Sequence, residues 1–299
     1  MKIAICGGTG FIGQSLIKHW ITQGHHIIII TRKLAKHTTT ITHEQLEYLT
    51  WDQLDRHPES LENLDALVNL AGASLSQRWT NQAKQRIKDS RLTTVSSISK
   101  LISHLKNKPA VVIQASAVAI YGTSLEETFE ETSQTRVMDF PSEVVQRWED
   151  AANSIQDVRL VKLRISVVLG SHGGAYPMMR LPFKLGVGGK IGSGQQWMSW
   201  IHISDMVRLI EFCILNPNIE GPVNAATPQP VTNDQFGRAV AAVHQRPYWF
   251  PLPSFLLRGI VGELSLILLK GQRVLPSKAL EHGFQFNFPE IKEALQDLK

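Results

Sequence analysis

The sequence predicts an α/β protein: a doubly wound, mainly parallel sheet followed by a smaller, mainly helical C-terminal lobe. Three observations predict it. Short apolar runs rich in β-branched residues alternate with amphipathic periods through the first half, the pattern of strands buried on both faces and joined by crossover helices. A glycine-rich turn lies between the first run and the first helical period. After Leu169, Gly, Met and Pro interrupt the periodicity, which marks a change of architecture.

Each element follows in order. Lys2 to Cys6 is a short apolar strand that empties into Gly7-Gly8-Thr9-Gly10-Phe11-Ile12-Gly13, and the next period carries Leu16, Ile17, Trp20 and Ile21 at helical spacing. Further strands are read at His26 to Thr31, Leu46 to Trp51, Ala66 to Leu70, Ala110 to Ala115 and Arg159 to Leu163. Between the fourth and fifth, Trp79 to Lys106 reads as a long helix with Ile87, Arg91, Val95, Ile98, Ile102 and Leu105 on one face. Ser171 to Trp200 has too little periodicity for a regular element over much of its length, and loops this long are usually functional. From Pro228 onward, short helical pieces are punctuated by Pro247, Pro251, Pro253 and Pro276. This division assigns 1–170 and 203–227 to the nucleotide-binding sheet domain, and 171–202 with 228–299 to a substrate-side loop and lobe. The only low-complexity tract is Thr38 to Thr40.

Composition narrows the function classes. At 299 residues with 43% hydrophobic and 19% charged residues, the chain reads as an ordinary globular protein with room for a sizeable core. Two cysteines, Cys6 and Cys213, make no disulfide framework, and no His/Cys cluster has metal-ligand spacing, so no metal is expected. The net charge of +5 is scattered without a basic run, which argues against nucleic acid and suits a small anionic ligand. Apolar runs such as Ile27 to Ile30 and Leu264 to Leu269 fall far short of the roughly 20 residues that cross a bilayer. The N-terminus reads as a strand instead of a signal peptide, so the cytoplasm is the expected location.

The glycine turn carries the first chemical reading. Glycines let the backbone turn sharply and approach a pyrophosphate, and the amides at the helix start favour its negative charge. Here the turn follows a strand and opens an amphipathic helix, the context that the motif requires. About 20 residues further on, the second strand ends in Thr31-Arg32-Lys33, where an acidic residue would receive a ribose hydroxyl and a basic one a 2′-phosphate. Arg32 therefore predicts NADP(H). A charged hydrogen bond to phosphate is worth roughly 1.5 to 3 kcal/mol, about a 10 to 100-fold preference. The competing reading makes Arg32 and Lys33 solvated charges at a strand end.

Several motifs carry a resemblance. The glycine turn, Asn69-Leu70-Ala71-Gly72, Ser116-Ala117 before Tyr121-Gly122, and Trp200-Ile201-His202-Ile203-Ser204-Asp205 resemble the extended short-chain dehydrogenase/reductase superfamily. Arg78-Trp79-Thr80, Arg147-Trp148-Glu149, Leu181 to Gly186 and Gly271-Gln272-Arg273-Val274-Leu275-Pro276 resemble its atypical branch of epimerase-family proteins, labelled nucleoside-diphosphate-sugar epimerase-like. The resemblance spans nearly the whole chain. It implies an NADP-binding Rossmann domain with contacts from Gly7, Thr9, Gly10, Phe11, Ile12 and Gly13 at the phosphates, and from Thr31 and Arg32 at the 2′-phosphate. Leu70, Ala71 and Gly72 would border the ribose, and Arg91 and Val168 match further cofactor positions. Trp51-Asp52 falls where relatives border the adenine, and Trp51 reads equally well as core. Homodimers through the helices at 79–106 and 140–156 are a further implication.

One departure bears on catalysis. The superfamily uses a Tyr-x-x-x-Lys pair, in which the lysine lowers the tyrosine pKa. The four tyrosines Tyr48, Tyr121, Tyr176 and Tyr248 are followed four residues on by Asp52, Leu125, Arg180 and Leu252, so none makes the pair. Aligned on Arg147-Trp148-Glu149, the two positions fall at Asp139 and Glu143, which read as carboxylates at a helix start. Ser116 stands where the family's hydroxyl meets the reacting oxygen, and Tyr121 is the nearby candidate proton donor; a turn serine and a packed aromatic are the competing readings. Lys184, Lys190, Trp197 and Trp200 lie on the substrate-side loop, and His202 reads as a structural histidine or a catalyst. Two functions stay open: an oxidoreductase or epimerase-like protein acting on a small polar or nucleotide-linked substrate, and a non-catalytic NADP(H)-binding or redox-sensing protein acting through a partner.

Overall fold

The computed structural model describes residues 1–34 and 43–299, so the Thr38 to Thr40 tract lies outside the described residues. The elements in chain order are β1 (Lys2–Cys6), α1 (Phe11–Thr22), β2 (His26–Thr31), β3 (Leu46–Thr50), α2 (Trp51–Arg56), β4 (Ala66–Asn69), α3 (Asn81–His104), β5 (Val111–Ala117), β6 (Thr128–Phe129) and α4 (Phe140–Ala152). There follow β7 (Arg159–Ile165), β8 (Val167–Leu169), α5 (Tyr176–Lys184), β9 (Trp197–Met198), β10 (Trp200–His202), α6 (Ile203–Leu215), β11 (Gly221–Ala225), β12 (Val231–Thr232) and α7 (Asn233–His244). The tail holds α8 (Ser254–Val261), α9 (Ser265–Leu269), β13 (Arg273–Val274), α10 (Ser277–Glu281) and α11 (Ile291–Asp297).

Seven strands form one sheet in the order β3-β2-β1-β4-β5-β7-β11, and every pairing in it is parallel. Alternation decides which face each side chain joins. Ile3, Ile5, Ile27 and Ile29 pack with Leu16, Ile17 and Trp20 of α1 and with Met206 and Ile210 of α6. On the other face, Ala4, Cys6, Ile28 and Ile30 meet Val95, Ile98 and Ile102 of α3 and Trp148 of α4. Each fully buried large side chain contributes about 1.5 to 3 kcal/mol, so both helical layers are held by the apolar periods that predicted them. The chain runs outward from β1 to β3 and returns to place β4 on the other side of β1. The sheet's order therefore reverses between β1 and β4, where doubly wound folds leave a crevice at the carboxyl ends.

Three local readings need correction. Trp51 does not end the third strand: Thr50 caps α2 in a capping box with Gln53, so Trp51 is the first helical residue. The Ser171 to Trp200 stretch contains α5, whose prolines obscure its period and whose Tyr176 and Phe183 are buried. The seventh strand, β11, begins Gly-Pro, residues that depress strand propensity and are tolerated because β11 is an edge. The lobe has its own cluster, in which Tyr176 and Phe183 meet Trp200, Phe236, Val240, Leu295 and Leu298. Ala279 and Phe284 pack instead with the sheet.

Candidate nucleotide crevice and the buried network beside it

The crevice is built by close backbone approach. Gly7 has φ +82°, and a Cβ on it would lie 2.8 Å from the Leu70 carbonyl carbon and 2.9 Å from the Ala71 nitrogen. A Cβ on Gly13 would lie 2.5 Å from the Gly7 oxygen and 2.7 Å from Gly8 Cα. These glycines bring the start of α1 against the ends of β1 and β4. Gly10 caps α1 without a side-chain hydrogen bond, and the first turn holds no acidic residue, so the positive end of the helix is not neutralised from within. The ring of Phe11 turns away from this backbone and lies under the Gly170 to Gly174 loop, where a Cβ on Gly170 or Gly173 would approach it to 2.4 Å. Thr9 is exposed and Ile12 half-buried.

Neighbouring strand ends complete the rim. Cys6 pairs with Ile30, so half-buried Thr31 and exposed Arg32 follow at the same edge as Gly7. After β4, the fully buried Asn69 donates from Nδ2 to Gln114 Oε1 at 2.8 Å, and its Oδ1 accepts the Ala71 N–H at 3.1 Å, fixing the Leu70-Ala71 turn. Gly72 leaves space for Arg91, whose Cζ would lie 3.0 Å from a Cβ there. Arg91 donates to the carbonyls of Ala73 at 3.1 Å and Ile87 at 3.0 Å and stacks on Trp148 at 4.9 Å. Burial pulls its pKa down to about 10. Val168 is buried in β8, paired with Ile201 of β10.

Beside the crevice, the two catalytic candidates join one buried polar network. Ser116 donates to Glu149 Oε1 at 2.6 Å. Arg164 grips both oxygens of Glu149, at 2.9 Å through Nε and 3.0 Å through Nη2, and its Nη1 donates to the Tyr121 hydroxyl at 2.8 Å. Tyr121, with 0% of its surface exposed, in turn donates to Asn224 Oδ1 at 2.8 Å. Glu131 accepts the backbone N–H groups of Asn224 at 2.9 Å and Lys278 at 3.2 Å. Burial pushes the Tyr121 and Glu131 pKa values up, against the pull of Arg164 on the tyrosine and of backbone N–H groups on the carboxyl. Burial also opposes the Arg164 charge, but the hydrogen bonds and charge of Glu149 outweigh it and hold its pKa above the ordinary value. Sequence reasoning missed Glu149, Arg164, Asn224 and Glu131. The available signal was a charged residue on an otherwise apolar face: Arg164 at the end of a buried strand and Glu149 next to Trp148.

Residues 3–226 match the NAD dependent epimerase/dehydratase family, and residues 252–298 match a domain of unknown function, DUF1731. The chain belongs to that epimerase/dehydratase family. It is 44% identical to the epimerase family protein YfhF of Bacillus subtilis, over 100% of this chain and 98% of that protein. It is 37% identical to the chloroplastic SDR39U1 homolog of Arabidopsis thaliana, over 99% of this chain and 86% of the relative. The crystal structure of human epimerase family protein SDR39U1 with NADPH superposes at TM-score 0.90 with 35% identity, covering 100% of this chain and 99% of that one. A Thermus thermophilus UDP-glucose 4-epimerase complex with NAD shares the fold at TM-score 0.78 and 14% identity. The chain thus has the NAD(P)-binding Rossmann fold of extended short-chain dehydrogenases/reductases.

The two carboxylates that the sequence reading set at the Tyr and Lys positions, Asp139 and Glu143, both have local partners. Asp139 caps α4 in a capping box with Ser142, and Glu143 lies 3.0 Å from Arg147 and 3.8 Å from Lys88. His202 accepts the Ser204 N–H through Nδ1 at 3.2 Å, capping α6, and its ring packs on Phe288. Trp200 is buried in the lobe's cluster, whereas Lys184 and Lys190 are exposed. Among the described residues, no group of three His, Cys, Asp or Glu side chains forms a metal cluster, and no helix is long and apolar enough to cross a membrane.

Proposed function

We propose that this chain is an NADP(H)-binding atypical short-chain dehydrogenase/reductase that moves hydride to or from a small polar or nucleotide-linked substrate. The observation that carries the cofactor choice is Arg32, exposed at the carboxyl end of β2 beside the Gly7 turn in a Thr-Arg-Lys sequence without an acid. The cradle fits a pyrophosphate because the Gly7 and Gly13 positions leave no space for a side chain and α1 begins without one of its own at the cap. Gly7 and Thr9 to Gly13 hold the phosphates, Thr31 and Arg32 the 2′-phosphate, Leu70 to Gly72 the ribose, and Arg91 and Val168 line the rest. When bound, the nicotinamide supplies or accepts the hydride. Ser116 spends its hydrogen on Glu149, so toward a substrate its oxygen accepts. Tyr121 braces Arg164, which in turn holds Glu149. Pairing of two copies through α3 and α4, in the cytoplasm, belongs to the same proposal.

A second reading, cofactor binding without turnover, is favoured by one observation: the hydroxyls of Ser116 and Tyr121 are both engaged inside the protein. Titration of nucleotide-stripped protein with NADPH and NADH, read by tryptophan-to-nicotinamide energy transfer, tests the common core. We expect NADPH to bind at least about tenfold tighter, and Arg32→Asp to abolish the difference. Equal loss for both nucleotides would remove Arg32 from the site. Hydride transfer to carbonyl or sugar-nucleotide substrates, lost in Ser116→Ala with NADPH affinity intact, separates the oxidoreductase from the non-catalytic reading.

A further inference from the structure

A half-buried arginine on the lobe side of the sheet has no hydrogen-bond or ion-pair partner for its Nε among the described residues. In β13, Val274 pairs with Phe129 and Arg273 with Thr128. Val274 is fully buried in the cluster of Tyr121 and Phe129, and strand alternation sends Arg273 to the opposite side. There its guanidinium stacks on Trp197 at 4.9 Å. Its Nε is sealed from solvent without a hydrogen-bond partner among the described residues. The other arginines withdrawn from solvent differ: Arg91 donates to Ala73 and Ile87, Arg159 to three carbonyls, and Arg164 to Glu149. A buried donor left unpaired calls for an explanation.

The surroundings hold this side chain in place. Ser199 donates to the Gln272 carbonyl at 2.9 Å and accepts the Val274 N–H at 2.9 Å. Ser124 N–H donates to the Gly271 carbonyl at 3.0 Å, and Trp197 Nε1 to the Leu125 carbonyl at 2.8 Å. Gly271 therefore stitches Arg273 to the segment that follows β5, and Ser199 to the segment that leads into β10. That is the carboxyl side of the sheet, where ligands of open α/β folds bind.

We propose that Arg273, backed by Trp197, receives an oxyanion, phosphate or carboxylate, of a second ligand bound beside the nucleotide. A guanidinium presents parallel donors that match both groups, and the stacking on Trp197 sets its plane in advance. The assignment deepens the proposed function by giving its substrate an anionic group, and it is tested apart from cofactor binding. The full chain, saturated with NADPH, is titrated with inorganic pyrophosphate and separately with malonate, while tryptophan emission is followed in wild type and Trp197→Phe.

We expect a saturable change that Trp197→Phe removes, a loss of at least about tenfold in anion affinity for Arg273→Gln, and a smaller loss for Arg273→Lys. NADPH affinity, measured in the same samples, stays at the wild-type value and reports that each variant is folded. The stronger of the two probes identifies the phosphate or the carboxylate source. Anion affinity unchanged in Arg273→Gln, or a signal abolished by NADPH because the anion only visits the cofactor's phosphate cradle, overturns the proposal. Failure of the protein to bind NADPH overturns the proposed function instead, and the same titrations on the cofactor-free chain then decide Arg273.

Discussion

Gly13 and the Glu149–Arg164 pair show how single residues control this protein in opposite ways. At Gly13 the contacts are backbone atoms 2.5 and 2.7 Å from an added Cβ, so Gly13→Ala must shift the turn. We expect at least a tenfold loss of NADPH affinity by calorimetry; unchanged affinity would show that the turn adapts. Glu149 and Arg164 are 6% and 5% exposed, and removing one member of such a pair leaves a buried charge uncompensated, at about 3 to 5 kcal/mol. Glu149→Gln should therefore lower urea stability by about 3 kcal/mol, and the double change Glu149→Gln with Arg164→Met should recover part of it. A double variant no more stable than the single one would deny the coupling. The glycine turn was legible because its chemistry is local; the network was not, because its members come from β5 and the turn after it, the segment after β6, α4, β7 and β11, and no spacing along the chain records their meeting.

At the scale of elements, caps and periodicity account for most boundaries. Thr80 caps α3 and Asp139 caps α4, and losing such a cap costs about 1 kcal/mol. Asp139→Ala should lower stability by about that amount while leaving NADPH affinity unchanged; a selective loss of nucleotide binding would instead give this carboxylate a role in the crevice. Gly259 lies exposed within α8 with nothing near its added Cβ among the described residues, so Gly259→Ala should stabilise the fold by about 0.5 to 1 kcal/mol in thermal melts. The six strands read from sequence stand within about two residues of their observed ends, because a buried parallel strand is an uninterrupted apolar run. β11 and α5 were hidden by Gly and Pro, whose local penalties are overridden by edge position and by burial of Tyr176 and Phe183.

For the whole molecule, ligand and pH act on the same folding equilibrium. A nucleotide at 100 times its Kd adds about 2.7 kcal/mol to stability, so NADPH should raise Tm by several degrees and an equal concentration of NADH by clearly less. His202 links sheet and tail: its Nδ1 caps α6, and its Nε2 stands 3.2 Å from Asp297 without hydrogen-bond alignment. Burial lowers its pKa, against the pull of Asp297 and Asp205. A histidine held below its unfolded value adds no pH dependence above it; as pH falls through about 6.5, the unfolded chain takes up the proton first and stability declines. His202→Asn should flatten that part of the pH–stability curve between pH 7 and 5; an unaltered slope would place the acid sensitivity elsewhere.

What the sequence alone determined is whatever depends on neighbours along the chain. The glycine turn, the charge at the end of β2, the apolar period of α3 and the missing Tyr-x-x-x-Lys spacing are all written within a few residues of each other. Tertiary structure decided what depends on residues far apart: that Ser116 points its hydrogen at Glu149, that Tyr121 is closed between Arg164 and Asn224, and that Arg273 faces Trp197 with its buried Nε unpaired among the described residues. The physical reason is that burial and hydrogen-bond satisfaction are properties of a packed neighbourhood, which the order of strands in the sheet assembles and the order of residues in the chain does not show.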